Sequence, residues 1–429
     1  MKETKKVWRT GKTAALLLLA VLLACVVIVP AAAENSSAVF TQQEIQGMMT
    51  AGSVFSDVFE DTLYNSLDDN AKADYMATVL GSLSGPSGSA AVMMSSVPGL
   101  SSANVNPQAQ VQYQTQTNSI LQQYDLSTYS EPLIDRESIY YDADAKTFTF
   151  QYSNGVLAMV KLVEDDCFSE VNEENPLTDM QGVLLSGEQS SGESLMRAVS
   201  GDKALLIYDW DTTGEHIASF DSLRYYLSGN NPSISSTVEQ NPTVPQYRTL
   251  LSGTLGSGGY RVIVIMSHGG VYSLNLFTHF PSVVLRETTT DVKFDLYSSD
   301  LLQNRVGVVY QSDESDTFAL LPSFFEYYYS GNKLGGAYVH LGMCQGFGNG
   351  LFADNTLASK FIASGAGAVT GYVKKVWYQY ETGMCRDIIR NLVNGNSLQS
   401  SVNAAKSSEG NTGPNGEYIV VHGNGGWTL

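Results

Sequence analysis

The fold is decided by the stretch Arg261-Val-Ile-Val-Ile-Met-Ser-His-Gly-Gly270 and by a similar one, Gly336-Ala-Tyr-Val-His-Leu-Gly-Met-Cys-Gln-Gly346. Each is short, rich in β-branched or aromatic residues and closed by glycine, which predicts a buried strand that ends in a tight turn. His268 and Cys344 should therefore lie at strand ends. If the two strands are parallel neighbours, the imidazole and the thiol meet at the carboxyl edge of one sheet, where open α/β folds bind their ligands. That arrangement suits a cysteine nucleophile with a histidine base.

Strand and helix patterns alternate around both stretches and predict an α/β domain over residues 200–429. Strands separated by helices indicate βαβ units, so we expect a mainly parallel sheet flanked by helices. Beyond the two stretches, the predicted strands are 203–208, 271–277, 292–297, 368–373 and 418–421. The predicted helices are 212–229, 318–329 with a start near Pro322, 355–365, 381–394 and 397–406.

The residues before this domain divide into three segments. Residues 34–83 show helical spacing of apolar residues, with a capping box in Thr41-x-x-Glu44. Residues 84–130 are rich in serine, glycine and glutamine, which predicts a linker with at most one weak helix. Residues 131–199 contain alternating runs around Asn154-Gly155, a strong hairpin signal, and predict a small antiparallel β-meander.

The first 33 residues predict a secretory signal peptide. A basic head precedes an apolar run from Ala14 to Val29 and a small-residue exit, so cleavage is expected after Ala33. An uncleaved membrane anchor, or a lipid on Cys25 in a lipobox-like Leu22-Leu-Ala-Cys25, is the alternative form of attachment. The protein is therefore expected to be secreted or held at the extracytoplasmic cell surface.

Charge and cysteine content narrow the range of partners. The formal net charge is −19 and becomes −23 without the signal, which carries five basic residues and one glutamate. Such a surface repels nucleic acid and anionic lipid, so no nucleic-acid partner is expected.

After cleavage three cysteines remain, an odd count that leaves one thiol unpaired in an oxidising compartment. A bridge between Cys167 and Cys385 would leave Cys344 free, but the spacing leaves the pairing open.

The chemistry of a catalytic thiol depends on its neighbours. A thiol with an ordinary pKa of about 8.5 is mostly protonated at neutral pH, and His268 could raise its thiolate fraction. The backbone NH groups of Gly269 and Cys344 could form the oxyanion hole, with Gly269 leaving room for substrate and Gly346 serving the turn. On these residues alone, an inert core thiol and a structural histidine are an equal alternative.

Other motifs give little support to other chemistries. His340 lies four residues before Cys344, but two ligands without a third are weak evidence for zinc, and we expect neither metal nor cofactor. His422-Gly423 repeats the His-Gly dipeptide after a later strand and is interpreted as structural. The sequence has no Gly-x-Ser-x-Gly elbow, P-loop or His-Glu-x-x-His motif, so serine hydrolases, nucleotide-binding proteins and zinc proteases are disfavoured.

Residues 200–429 resemble the caspase-like cysteine peptidases, the group that includes clostripain, gingipains, legumain, caspases and the bacterial CHAT peptidases. The resemblance rests on His-Gly after one strand, x-x-Cys-x-Gly after a later one, and the order helix, glycine-alanine strand, helix, small-residue helix and closing strand that follows Cys344. It implies that His268 is the general base or ion-pair partner and Cys344 the nucleophile. It also implies an oxyanion hole formed by the NH groups of Gly269 and Cys344.

The sequence departs from clostripain-like enzymes in two places. They carry an acidic residue two before the cysteine that helps hold a basic substrate side chain, and this chain has Gly342 there. Tyr208-Asp-Trp-Asp211 only loosely matches their acidic turn, so specificity for arginine or lysine is not implied. Asp209, Asp211 or the loop Asp313-Glu-Ser-Asp316 could line a pocket for a basic side chain, but each is interpreted as a solvated turn.

We therefore expect an exported cysteine endopeptidase that hydrolyses protein or peptide substrates through a thioester. A catalytically inactive caspase-like scaffold or binding protein at the cell surface is the first alternative. A thiol transpeptidase that joins surface proteins is the second.

Overall fold

The computed structural model describes residues 40–85, 97–100, 106–162, 203–209, 214–229, 233–252, 259–275, 278–312, 315–350 and 353–429. The expected signal peptide, Cys25, Cys167 and Asp211 lie outside these ranges. Within them, every helix is too short or too polar to span a membrane.

Helices and strands alternate through most of the described chain. The helices are α1 (Gln42–Glu60), α2 (Thr62–Asn65), α3 (Asp69–Leu83), α4 (Pro107–Leu121), α5 (Gly214–Gly229), α6 (Val244–Leu250), α7 (Asp291–Leu296), α8 (Ser298–Leu302), α9 (Pro322–Tyr328), α10 (Thr356–Ala363), α11 (Tyr378–Val393) and α12 (Leu398–Glu409). The strands are β1 (Ile134–Asp142), β2 (Thr147–Tyr152), β3 (Leu157–Lys161), β4 (Lys203–Asp209), β5 (Ser235–Gln240), β6 (Tyr260–Asn275), β7 (Thr278–Thr288), β8 (Val306–Tyr310), β9 (Thr317–Leu320), β10 (Tyr338–Gly342), β11 (Ala368–Val373) and β12 (Tyr418–Gly423).

All twelve described strands belong to one mixed sheet, which confirms the α/β class. The order runs β1-β2-β3-β8-β9-β7-β6-β10-β11-β12, and β4 pairs with both β5 and β6. The strands β5, β4, β6, β10 and β11 are parallel to one another, and β3 is parallel to β8. The remaining pairs are antiparallel.

The expectation of a mainly parallel sheet is wrong, and the length of β6 explains why. This strand has 16 residues instead of ending at the predicted glycine turn. Its first part pairs in parallel with β4 and β10, as far as Ser267 and Met266 respectively. From His268 onward it pairs with β7 in an antiparallel hairpin. The second part of β6 therefore recruits antiparallel strands that a βαβ pattern does not contain.

The N-terminal segments join this sheet. The predicted meander exists as β1, β2 and β3, and Ala158 of β3 pairs with Val308 of β8. Helix α1 begins with the predicted capping box, since Glu44 N donates to Thr41 Oγ1 at 3.2 Å and Thr41 N donates to Glu44 Oε2 at 2.7 Å. Phe55 of α1 then packs on Tyr310 of β8, with ring centroids 4.9 Å apart.

Residues 292–297, predicted as a strand, form helix α7 instead. The Thr290 hydroxyl accepts a hydrogen bond from Lys293 N at 3.3 Å and caps the helix, and Asp291 places a negative charge in its first turn. Local capping therefore outweighs the alternation of apolar residues in this segment.

Helices cover both faces of the parallel strands. Leu205, Ile263 and Leu341 face a core shared with α9 and α10. The residues that alternate with them along the strands face a second core, which is formed with α5, α11 and α12 and contains Leu206 and Val264. Burial on both faces explains why these strands are apolar throughout.

Candidate functional site

Two parallel strands, β4 and β10, end on either side of β6 at the edge that carries the predicted site. Asp209, the last residue of β4, lies opposite Ser267 of β6, and Gly342, the last residue of β10, lies opposite Met266. His268 follows Ser267 directly, and Cys344 lies two residues beyond β10. The structure therefore brings His268 and Cys344 to the same carboxyl edge, as predicted, although the chain does not turn at His268.

The backbones of the two predicted site segments are in close contact at Gly269. A Cβ atom at this position would overlap the carbonyl oxygen of Cys344 and lie 2.8 Å from its carbonyl carbon. The expectation that Gly269 leaves room for substrate is therefore wrong, because the Cys344 backbone fills that space. Glycine is needed here so that the chain next to His268 can pack directly on the residue that carries the thiol.

This contact predicts a strong response to a single methyl group. We expect Gly269→Ala to lower the free energy of unfolding by about 3 kcal/mol or more, because rigid backbone on both sides has no room to yield. Gly229→Ala is the matched control, since no heavy atom lies within 4 Å of a Cβ there. Urea denaturation of both variants measures the difference, and equal stabilities would contradict the close contact.

Both predicted catalytic side chains are largely covered. Cys344 is a free thiol with 4% of its surface exposed, and its Sγ donates to the carbonyl oxygen of Val376 at 3.8 Å. His268 is 9% exposed. The thiol is therefore buried and contacts the segment that leads from β11 to α11.

The turn after the thiol is strained. Gln345 has a φ of 58°, so this residue, and not Gly346, occupies the left-handed region of the turn. A left-handed non-glycine residue costs about 1 kcal/mol. The turn is held by Gln345 N, which donates to Lys374 O, and by Phe347 N, which donates to Tyr372 O, both at 2.8 Å. Strain of this kind concentrates at functional sites, where surrounding contacts impose it.

Asp209 is fully buried, so its interpretation as a solvated turn residue is wrong. It ends β4 beside the strand that carries His268. Its carboxylate accepts hydrogen bonds from Arg286 N at 3.3 Å and from the Tyr247 hydroxyl at 3.5 Å. Burial raises the pKa of Asp209 to about 7, and the hydrogen bond from Arg286 and the positive charge of His268 hold it below the value that burial alone would give.

A protonated His268 therefore lies close enough to Asp209 to lower the pKa of this buried carboxyl group. A carboxyl beside an imidazole can fix the orientation of the ring and stabilise its protonated form. The sequence contained one usable signal for this role, namely that the aspartate directly ends a strand with five apolar or aromatic residues in succession.

The other histidines lie elsewhere. His422 of β12 pairs with Val369 near the start of β11, so it lies at the edge of the sheet opposite Cys344. His340 is fully buried within β10, and its Nε2 lies 3.1 Å from Glu381 Oε1. Among the described residues, His340, Glu381 and Cys385 form a group whose ligand atoms all lie within 4.8 Å of one another. The sequence suggested His340 and Cys344 as a pair of metal ligands. In the structure, the potential ligands close to His340 are Glu381 and Cys385 of α11.

The chain matches no model of a known protein family, and no curated protein matches it.

Proposed function

We propose that the protein is an exported cysteine peptidase with a caspase-like domain over residues 200–429. The observation that carries the proposal is the parallel pairing of β4, β6 and β10, which brings the segments that contain Asp209, His268 and Cys344 to the same end of these strands. A thiol, an imidazole and an orienting carboxyl are the groups that nucleophilic attack on a carbonyl requires.

The order of elements after the thiol supports the caspase-like assignment. Cys344 is followed by α10, β11, α11, α12 and β12. This is the succession of helix, strand, two helices and closing strand on which the resemblance to CHAT and clostripain-like domains rests. The antiparallel strands β7, β8 and β9 and the N-terminal meander are additions to that pattern.

In the proposed reaction, the Cys344 thiolate attacks a peptide carbonyl and forms a thioester. His268 accepts the thiol proton and then donates it to the leaving amine. Backbone NH groups near Gly269 and Cys344 stabilise the developing oxyanion. Asp209 positions the imidazole and offsets its positive charge, and water then hydrolyses the thioester. The substrate is a protein or peptide outside the cytoplasm, and the reaction needs no cofactor.

The burial of both side chains favours a second candidate function. With 4% of Cys344 and 9% of His268 exposed, a non-catalytic scaffold with a caspase-like fold is the alternative. A scaffold needs no reactive thiol, whereas a peptidase must admit its substrate between the Cys344 turn and the covering segment around Val376.

Cleavage of a diverse peptide library, before and after treatment with iodoacetamide, tests the proposal. We expect the mature protein to cleave the library at neutral pH, and cleavage to stop once Cys344 is alkylated. Addition of an amine acceptor distinguishes hydrolysis from transpeptidation through the mass of the products. An intact library, together with an unmodified Cys344, would favour the scaffold.

A further inference from the structure

We propose that His340, Glu381 and Cys385 form a buried Zn²⁺ site behind the strand that leads to Cys344. Zinc is the divalent ion best suited to a mixed set of imidazole, carboxylate and thiolate ligands. None of the three residues belongs to the peptidase reaction proposed above, so the inference is independent of it.

The three side chains converge from two elements. Glu381 and Cys385 are four residues apart on α11, which places them on one face of the helix. His340 comes from β10, against which this face packs. Zn²⁺ bound in a tetrahedron holds its nitrogen, oxygen and sulfur ligands about 3.3 to 3.7 Å from one another. The His340 Nε2 to Glu381 Oε1 distance is 3.1 Å, and all ligand atoms lie within 4.8 Å, so shifts of less than about 1 Å would seat an ion.

Two buried oxygen atoms in this region have no hydrogen-bond partner among the described residues. Within the described part of the chain, Glu381 Oε2 and the Tyr372 hydroxyl are buried without any hydrogen-bond partner. The Tyr372 ring lies edge-on to His340, with centroids 6.0 Å apart. A buried carboxylate oxygen without a partner costs on the order of 1–3 kcal/mol. Coordination of a cation would satisfy Glu381, and a water in the fourth position could bond to the Tyr372 hydroxyl.

The far side of the imidazole is arranged as in metal sites. His340 Nδ1 lies 2.8 Å from Thr370 Oγ1, which in turn lies 2.7 Å from the Tyr338 hydroxyl. A histidine that binds a metal through one ring nitrogen usually donates its other N–H to such a partner, which fixes the ring and the tautomer. This arrangement directs the lone pair of Nε2 toward Glu381 and Cys385.

Charge balance also favours a divalent cation. Glu381 and a thiolate at Cys385 together carry two negative charges in a region closed to solvent. Zn²⁺ neutralises both, whereas without it the two groups must keep their protons in order to remain buried.

The site gives a reason for Gly342. A Cβ atom there would overlap Glu381 Oε1, so only glycine allows the carboxylate to reach His340. Gly342 thus makes room for a ligand on α11, and the ion would link α11 to the strand that delivers Cys344.

Cobalt substitution tests the site directly. The mature protein is stripped with a chelator and titrated with Co²⁺, whose tetrahedral complexes with thiolate absorb strongly in the visible and near-ultraviolet. We expect one Co²⁺ per chain with a thiolate charge-transfer band, displaced by Zn²⁺. Cys385→Ser and Glu381→Gln should abolish the band and weaken Zn²⁺ binding by about 100-fold or more. Cys344→Ser, which removes the other described thiol, should leave both unchanged.

Thermal unfolding of the same proteins is the second measurement. It distinguishes the loss of zinc binding from the instability of a variant. Zn²⁺ should raise the melting temperature of the wild type and of Cys344→Ser, and should leave a folded Cys385→Ser or Glu381→Gln unchanged. A wild type that shows no thiolate band and no Zn²⁺-dependent shift would overturn the proposal, as would a band that persists in Cys385→Ser. In that case the cluster is held together by protons and hydrogen bonds alone.

Discussion

His268→Ala and Cys344→Ala should each lower kcat/KM for peptide cleavage by about 10⁴-fold or more, and the double variant should be no worse than either single one. A base and a nucleophile that act as one unit give strongly non-additive losses, because either deletion already removes the covalent step. The measurement is hydrolysis of the best library peptide by the three variants.

His422→Ala is the matched control for the histidine. It also precedes a glycine after an apolar strand, but it lies at the opposite edge of the sheet. We expect this variant to retain wild-type activity. Losses from His268→Ala and Cys344→Ala that simply multiply in the double variant would show that the two residues do not act together.

Asp209→Asn should affect activity and stability in opposite directions. Activity should fall by about 10²- to 10⁴-fold, since the amide neither fixes the correct imidazole tautomer nor stabilises its charge. Above neutral pH, the free energy of unfolding of the variant should be higher than that of the wild type. The pKa of Asp209 is raised from 3.8 to about 7, so the folded state binds the proton more tightly than the unfolded state does. The stability that this proton confers is present below pH 4 and is lost as the pH rises to 7.

The asparagine variant stays neutral and avoids that loss. Its advantage over the wild type in free energy of unfolding should therefore grow by roughly 3 kcal/mol between pH 5 and pH 8. Denaturation curves at several pH values provide the measurement.

Asp316→Asn separates the two effects. Burial also raises the pKa of Asp316 to about 7, but this residue lies between α1 and β9. It should show a similar gain in stability with rising pH and full activity. If Asp209→Asn were as active as Asp316→Asn, Asp209 would have no role in positioning His268.

The sequence predicted the elements with strong local signals. The buried strand 368–373 is found at its predicted bounds, α9 begins at Pro322, and the Thr41 capping box and the hairpin at Asn154-Gly155 are present. Apolar runs and capping residues determine these elements within a few positions along the chain, so sequence spacing is sufficient to find them.

The features that sequence reasoning missed depend on distant parts of the chain. The buried carboxylate of Asp209 accepts hydrogen bonds from Tyr247 and Arg286, and neither residue is close to it in sequence. Glu381 fills space beside Gly342 from a helix almost 40 residues later. The continuation of β6 beyond His268 depends on its pairing with β7, which turned the expected parallel sheet into a mixed one. Such tertiary contacts leave no periodic pattern in the sequence.

The central claim is that His268 activates the Cys344 thiol, and the rate of alkylation by iodoacetamide as a function of pH tests it most directly. Peptide mapping by mass spectrometry follows Cys344 and, as an internal reference, the buried thiol of Cys385. We expect Cys344 to react rapidly at pH 7 in the wild type and slowly at this pH in His268→Ala, and Cys385 to stay unmodified in both proteins. Activation of the thiol by His268 would be contradicted if Cys344 reacted no faster than Cys385, or if His268→Ala left the rate at Cys344 unchanged.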